Sequence, residues 1–407
     1  MVAENPAADL IAALSAAGAF PIVEANWTDA PTAFVSVKPS AVVIAEPGPP
    51  PSESSARMLC LQIATAAGPI VPTLAFADAD HDPALPIALP ADPARPVSDA
   101  IARLQGAMRV RALHATVLRR IELAAAQGGT PPALPLSDAL DDATVLIAGR
   151  GSHYAALSAA MGERVKLMGA LSLEGASRLL NTQDIDGIVV GDGFPIRAVE
   201  IFLTTLANEP RLRDIPVAVV GEAPDFADSL THFEIIGDAA RLVAHMVPQV
   251  RMRAFEARLS RVLACLDADG AVDPETGLMT RDAFWRDLTR AMDEAVDRSM
   301  SLSIARYSFD GDVSERAARD GARRLTQLTR TVDFACRDDD GTILVAFTQT
   351  NLREAHGVAR RLAAELKNTM TAKAALTANV TLATRKAGDT LDSLMQRVLG
   401  SRMVAAE

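Results

Sequence analysis

Positive charge is in short supply in this chain. Forty Lys and Arg stand against 51 Asp and Glu, a formal net charge of −11. General nucleic-acid binding needs a basic footprint, so that class is excluded. Cysteine is nearly absent as well. Cys60, Cys265 and Cys336 lie far apart, with no C-x-x-C pair and no His at zinc spacing. They are expected to be reduced structural thiols in a cytoplasmic protein, and no metal site is expected. Long apolar runs are missing too. The most apolar window, Ile63 to Ala77, is interrupted by Gly68, Pro69 and Pro72, too short to span a bilayer. The opening M-V-A-E-N-P lacks a basic region followed by an apolar core, so no signal peptide is expected. Aromatic residues are few, and much of the 49% hydrophobic content is alanine.

What the chain has is length and repetition. Its 407 residues allow two to four domains, each with its own core. The apolar run Ala41–Ile44, followed by a Pro-rich loop, returns as Gly187–Val190, followed by G-D-G-F-P. Each copy later carries a second apolar run with a Pro at its start, Gly68–Phe76 and Ile215–Val220. Each ends in a basic amphipathic helix, beginning at Met108 and at Val250, and these two align without gaps. Fully apolar strands suit a parallel sheet covered on both faces. Helical patterns alternate with them, over 9–17, 54–66, 154–161, 174–180 and 198–207. The alternation predicts doubly wound α/β units.

The segment D-I-D-G-I-V-V-G-D-G-F-P resembles the receiver domains of response regulators, which have a flavodoxin-like fold. The resemblance implies a phospho-acceptor Asp at the end of that strand. Gly191 stands there, with Asp192 one residue late; in the first copy Ala45 stands there, followed by Glu46. A one-residue slip at a strand end turns the side chain to the other face. The acidic pair that would hold Mg²⁺ after the first strand is replaced by Gly149–Ser152, and the first copy is expected to lack its first strand. Two receiver-like domains without phosphotransfer are therefore expected, over 1–127 and 141–252, joined by a Pro-rich linker, 128–140. The alternative is phosphorylation of Asp192 or Glu46.

Residues 239–266 predict one long helix, with Pro248 a possible bend. Phe255, Leu259, Val262 and Leu266 follow coiled-coil spacing, so 253–270 is expected to be a dimerising stalk, or else a helix lying on its own domain. Arg251, Arg253, Arg258 and Arg261 are expected on its solvated face. The D-A-D-G that follows lacks the third oxygen ligand of a calcium loop, because Ala271 stands there.

The last third, 271–407, opens on D-P-E-T-G-L-M-T-R-D-A-F-W at Asp273. It predicts a helix 281–295, a strand 301–307, a helix 314–328, a hairpin, a helix 352–366, a strand 375–382 and a helix 390–399. The hairpin pairs Val332–Cys336 with Ile343–Phe347, with Asp340-Gly341 as a two-residue turn. Arg330 and Asp333 precede it as R-x-x-D. These features resemble the GGDEF domain of diguanylate cyclases, an α+β fold like that of nucleotide cyclases. With the receiver-like domains, the order is similar to that of PleD-type response regulators.

Diguanylate cyclases hold a triphosphate through two Mg²⁺ ions, and hard cations need carboxylates. The resemblance implies a metal Asp where Arg306 stands. It implies acids where Gly341 and Thr342 stand, and paired glycines where Asp339 and Asp340 stand. The loop after Phe309 is shorter than in the family and lacks its guanine-reading Asn. The chain is therefore expected not to be an enzyme, and Asp338–Asp340 are expected to form an exposed acidic turn. The family's product-binding site matches at Arg330 and Asp333, with a further Arg at Arg361. Arg can grip a guanine edge or a phosphate in bidentate fashion, and Asp can accept from guanine N–H groups. The spacing also admits a plain Arg330–Asp333 salt bridge.

The expectation is a cytoplasmic, dimeric effector or adaptor that binds cyclic di-GMP and meets protein partners through its receiver-like domains. It needs no cofactor, nucleic acid or membrane. The alternatives are a ligand-free scaffold of a two-component pathway and an active diguanylate cyclase.

Overall fold

The computed structural model describes residues 1–4, 7–45, 53–77, 85–126, 131–134, 137–151, 153–209, 212, 214–221, 230, 232–237, 239–297, 300–310, 313–330, 332–370 and 377–399. The chain divides into two compact units. One holds Met1–Leu123 and Pro135–Leu259, the other Ala124–Leu134 and Ser260–Glu407.

The first half of the first unit runs α1 (Ala8–Ala16), α2 (Ala30–Val37), β1 (Val42–Ile44), α3 (Glu53–Ala64), β2 (Thr73–Phe76), β3 (Leu89–Ala91) and α4 (Val97–Ala126). The strands form a parallel sheet in the order β1-β2-β3. The strand expected to be missing is present in minimal form. Val2 bridges Ile44 on one side and Ala25 on the other, both parallel. Its N–H donates to Val43 O at 2.7 Å, and its carbonyl accepts from Ala45 N at 2.9 Å. The edge order is thus Ala25, Val2, β1, β2, β3. Ala45 follows β1 directly; Glu46 lies outside the described residues.

The second half runs β4 (Thr144–Ala148), α5 (Tyr154–Gly162), β5 (Lys166–Ala170), α6 (Leu173–Thr182), β6 (Gly187–Val190), α7 (Ile196–Asn208), β7 (Val217–Val220), β8 (Phe233–Ile236) and α8 (Ala239–Asp267). All pairings are parallel, in the order β5-β4-β6-β7-β8, the 2-1-3-4-5 arrangement of a doubly wound sheet. Strand residues alternate between two cores. Leu146, Ile188 and Val217 face α6 and α7. Val145, Ile147, Val189 and Ala218 face α5 and α8.

The two halves share a buried ion pair. Nη1 of Arg103 on α4 donates to Oε1 of Glu234 on β8 at 2.5 Å, and both side chains are nearly inaccessible. His245 and Gln249 of α8 close around the same carboxylate at 3.4 and 3.0 Å. Glu234 sits inside an otherwise apolar strand, which is why β8 was not apparent in the sequence.

Helix α8 departs from the stalk expectation. The Phe255 ring packs edge-on against His114 of α4, with centroids 5.1 Å apart. Leu259 and Val262 are buried within the one chain. Arg258 is not on a solvated face. It is 4% exposed, paired with Asp142 at 3.0 Å, and donates to Ser137 O and Asp138 O. The segment 137–142 lies against α8 and brings the carboxylate and carbonyls that a buried guanidinium needs.

The second unit runs from the end of α8 through α9 (Arg281–Asp297), β9 (Leu302–Asp310), α10 (Glu315–Leu328), β10 (Phe334–Arg337), β11 (Ile343–Thr348), α11 (Leu352–Met370), β12 (Thr377–Thr384) and α12 (Leu391–Leu399). The sheet is antiparallel, in the order β10-β11-β9-β12. Ala305, Tyr307, Ile343 and Val345 pack toward α10 and α11. Leu302, Ile304, Leu344 and Ala346 pack toward α9 and α12. The period of two puts Arg306 and Thr342 on the α9/α12 side, at one end of the sheet. Among the described residues, no helix is long and apolar enough to cross a membrane.

Candidate nucleotide-binding site

The segment after α8 is shaped by Asp273. Its carboxylate accepts from Glu275 N and Thr276 N, each at 3.2 Å, and from the Thr276 hydroxyl. Gly277 then adopts φ +75 and donates to Asp273 O at 2.8 Å. The turn delivers Met279 to β10, where its N–H donates to Ala335 O at 2.9 Å. Arg281, two residues on, begins α9.

The hairpin turn is longer than expected. Arg337 pairs with Ile343 as the last ladder pair, and Asp338 N donates to Thr342 O at 2.8 Å. Gly341 N donates back to Asp338 O at 2.9 Å, with Gly341 at φ +78. This is a three-residue loop, Asp339–Gly341, whose last residue must be left-handed. A two-residue Asp-Gly turn would need both central residues left-handed; here only glycine is.

Asp338, Asp339 and Asp340 all lie against arginines, although Asp339 and Asp340 are exposed as expected. Asp338 takes a bond from Arg281 Nε at 2.8 Å, and Asp339 lies 3.4 Å from the same nitrogen. The Arg281 guanidinium also lies 5.9 Å from the centre of the Trp285 ring. Asp340 pairs with Arg306 Nη2 at 2.7 Å, while Arg306 Nε donates to Thr342 Oγ1 at 3.3 Å. Partial burial pushes the Asp340 carboxyl up, but bonds from Thr342 and Arg306 outweigh it and hold it below the usual carboxylate range. Arg337, beside the loop, grips both oxygens of Glu315 at 2.6 and 3.1 Å. Glu315 is held low chiefly by that bond.

The position where the resemblance places a metal carboxylate therefore holds an arginine already bonded to the loop. Gly341 and Thr342 bring no acid beside it. Among the described residues, no group of three or more His, Cys, Asp and Glu could hold a metal ion.

Arg330, Asp333 and Arg361 are placed separately. Arg330 follows α10 and is exposed. Asp333 opens β10, and its N–H donates to Arg330 O at 3.0 Å. Its carboxylate accepts from Thr348 N at 3.0 Å, so it ties the start of β10 to the end of β11. Burial pushes this carboxyl up; the Thr348 bond and the Arg330 charge oppose that without overcoming it. No ion pair within 4 Å joins Arg330 to Asp333 among the described residues. Arg361 is exposed on α11 and has no ion pair there either. The two guanidiniums are available to a ligand. Asp333 is partly committed to the fold, a role that spacing alone did not reveal.

In the first unit, Gly191 occupies the expected acceptor position, and its N–H donates to Ala148 O at 2.7 Å. Asp192 turns over the loop after β4. It pairs with His153 Nδ1 at 3.1 Å, and Arg150 lies where the acidic pair would be. The carboxylate sits so close to Gly151 that a Cβ there would collide with it. Its pKa is held below the usual range, because the His153 contacts outweigh the effect of burial.

All three cysteines are free thiols. Burial pushes Cys336 up to about 12 and also raises Cys60 and Cys265, which fits structural rather than reactive thiols.

No protein-family model matches this chain, and no curated protein matches it. Solved structures do. The coiled-coil and GGDEF domain of DgcB from Caulobacter crescentus, in complex with c-di-GMP, is 22% identical with a TM-score of 0.31, covering 35% of this chain and 83% of that one. The GGDEF domain of FimX from Pseudomonas aeruginosa is 19% identical with a TM-score of 0.28, covering 32% of this chain and 89% of that one. The diguanylate cyclase SiaD, in complex with its activator SiaC from Pseudomonas aeruginosa, is 21% identical with a TM-score of 0.30, covering 35% and 61%. These structural neighbours are GGDEF domains, matched over about a third of this chain.

Proposed function

We propose that this chain is a catalytically silent signalling protein of the GGDEF type, which binds cyclic di-GMP without making it. The observation that carries the first half is the Arg306–Asp340 ion pair. It puts a fixed, bonded cation where a cyclase needs a metal carboxylate, and it uses an acid of the loop to do so. Two Mg²⁺ ions and a triphosphate require several carboxylates converging on one point. This loop directs its acids at two arginines instead. Incubation with GTP and Mg²⁺ is expected to release no pyrophosphate; sustained turnover would contradict the proposal.

The second half rests on Arg330 and Arg361, exposed guanidiniums at the positions of the family's product site. Cyclic di-GMP offers two phosphates and two guanine edges, and guanidinium suits both. The receiver-like halves would then serve as docking surfaces in a dimeric adaptor. Their candidate acceptor positions carry Ala45 and Gly191, so control by phosphotransfer is not part of the proposal. Arg330→Ala is expected to abolish nucleotide binding while leaving the melting temperature unchanged. Retained affinity would remove Arg330 from the site.

A further inference from the structure

The first half of the first unit carries an anchored aromatic knob. Phe20 is 94% exposed, more than any other large apolar residue described. Its neighbours fix the segment. Ala19 N donates to Leu14 O at 3.0 Å, and Ala19 and Ile22 both pack against the core between α1, the sheet and α4. The ring is therefore held out in water rather than carried on a frayed end. A lone exposed apolar side chain calls for no explanation. An anchored ring beside a matching hole does.

The hole is a cavity of about 50 Å³ between the edge segment of the sheet, α2 and β1. Val23 and Ala25 line one side, Ala33, Phe34 and Val37 of α2 another, and the buried Leu59 of α3 belongs to the lining. Every lining residue is apolar, so a water inside finds no side-chain partner. The volume corresponds to roughly four water-sized positions, enough for the outer part of one aromatic ring. Phe20 stands three residues before Val23, within about 10 Å along the chain. Its exposure shows that it does not fill its own cavity. Opposite charges flank the opening. Glu24 lies between Val23 and Ala25, and Lys38 follows Val37, both exposed. Glu24 also attracts the Met1 ammonium. Ala25 bridges Val2, and among the described residues no further strand pairs with that edge.

We propose that two copies of this chain dock here about a two-fold axis, each inserting Phe20 into the other's cavity. A two-fold contact is self-complementary, so each copy must offer what the other receives. A ring and a hole for it on one short segment meet that condition. A different protein would have to bring its own ring; this chain already carries one. The opposite signs flanking the opening let Glu24 of one copy meet Lys38 of the other, where a single sign would repel. This contact rests on the dimeric part of the reading above, not on its nucleotide site.

The test is sedimentation equilibrium of the full chain without nucleotide. A reversible dimer is expected. Phe20→Ser, which removes an exposed ring, should weaken it at least about tenfold, since each copy leaves a ring's worth of burial unmade. Ala33→Leu, which fills the cavity from α2, should weaken it by a similar factor, both variants keeping the circular dichroism of the parent. Reversing one charge, Glu24→Lys or Lys38→Glu, should weaken the dimer by about threefold, and the two reversals together should restore it. A monomer at every concentration would overturn the proposal, whatever cyclic di-GMP does in the second unit. So would a dimer unchanged by Phe20→Ser, or one weakened by Phe20→Ser but not by Ala33→Leu. Charge reversals that do not compensate would overturn the two-fold arrangement.

Discussion

Arg306 on β9 and Asp340 in the hairpin loop bond to each other at 2.7 Å, with Thr342 held between them. The pair is partly exposed, so it contributes only about 0.2–1 kcal/mol to stability. Its importance is chemical. Arg306→Asp places a carboxylate where the resemblance expects one, yet Gly341 and Thr342 still offer no second ligand, and Asp340 loses its cation. This variant is expected to show no Mg²⁺-dependent release of pyrophosphate from GTP. Its urea midpoint should fall by an amount corresponding to about 1 kcal/mol. Cyclase activity in this single variant would show that the metal site is otherwise complete.

Arg330 and Asp333 should separate in their effects. Arg330 is exposed and tied to no carboxylate within 4 Å among the described residues, so Arg330→Ala should change stability by less than about 0.5 kcal/mol. Asp333 accepts from Thr348 N across the hairpin, so Asp333→Ala should cost about 1–2 kcal/mol. Chemical denaturation of the two variants checks this. Equal stabilities would mean that the Asp333–Thr348 bond does not hold the hairpin.

The first unit should be acid-sensitive in two stages. His232 has a folded pKa of about 4 against an ordinary 6.5, so the unfolded chain takes up its proton first. Its contribution is complete above pH 6.5 and declines as pH falls from 6.5 toward 4, by about 3 kcal/mol at most. Glu234 has its folded pKa lowered: burial raises it, but Arg103 and His245 outweigh that. Its contribution is present above its ordinary pKa of 4.5 and is lost as pH falls further. Denaturant midpoints measured from pH 7 to 4 should slope downward, and His232→Gln should flatten that slope. An identical slope in the variant would show that another group carries it.

Gly151 and Asp192 should be coupled. Gly151→Ala drives a methyl into the Asp192 carboxylate, which must turn away from His153, and should cost about 0.5–1 kcal/mol. In an Asp192→Ala background the same change should cost much less. Thermal melts of the four proteins in the cycle decide it, and additive effects would contradict the close approach.

Much of this fold could be read from pattern. β4 and β6 fall where uninterrupted apolar runs were bounded by turn residues, because parallel strands buried on both faces need such runs. Helices α9 to α12 follow their 3.6-residue periodicity to within a few residues, apart from a longer C-terminal end of α11. What escaped depended on partners far away in sequence. β8 contains Glu234, which is tolerable inside a sheet only because Arg103 arrives from α4. β3 is three residues with Pro90 at its centre. The first strand of the N-terminal sheet is reduced to Val2, bridged on both sides. At the candidate site, the residue identities at 306, 341 and 342, none of them an acid, were readable in the sequence. The Arg306–Asp340 ion pair did not show, because it depends on how the three-residue loop brings Asp340 back toward β9.

Calorimetric titration of the full chain with cyclic di-GMP distinguishes a protein that binds this nucleotide without making it from a ligand-free scaffold. Saturable binding at micromolar concentration or tighter is predicted, lost in Arg330→Ala and weakened in Arg361→Ala. No heat of binding, or the same isotherm from all three proteins, would contradict it.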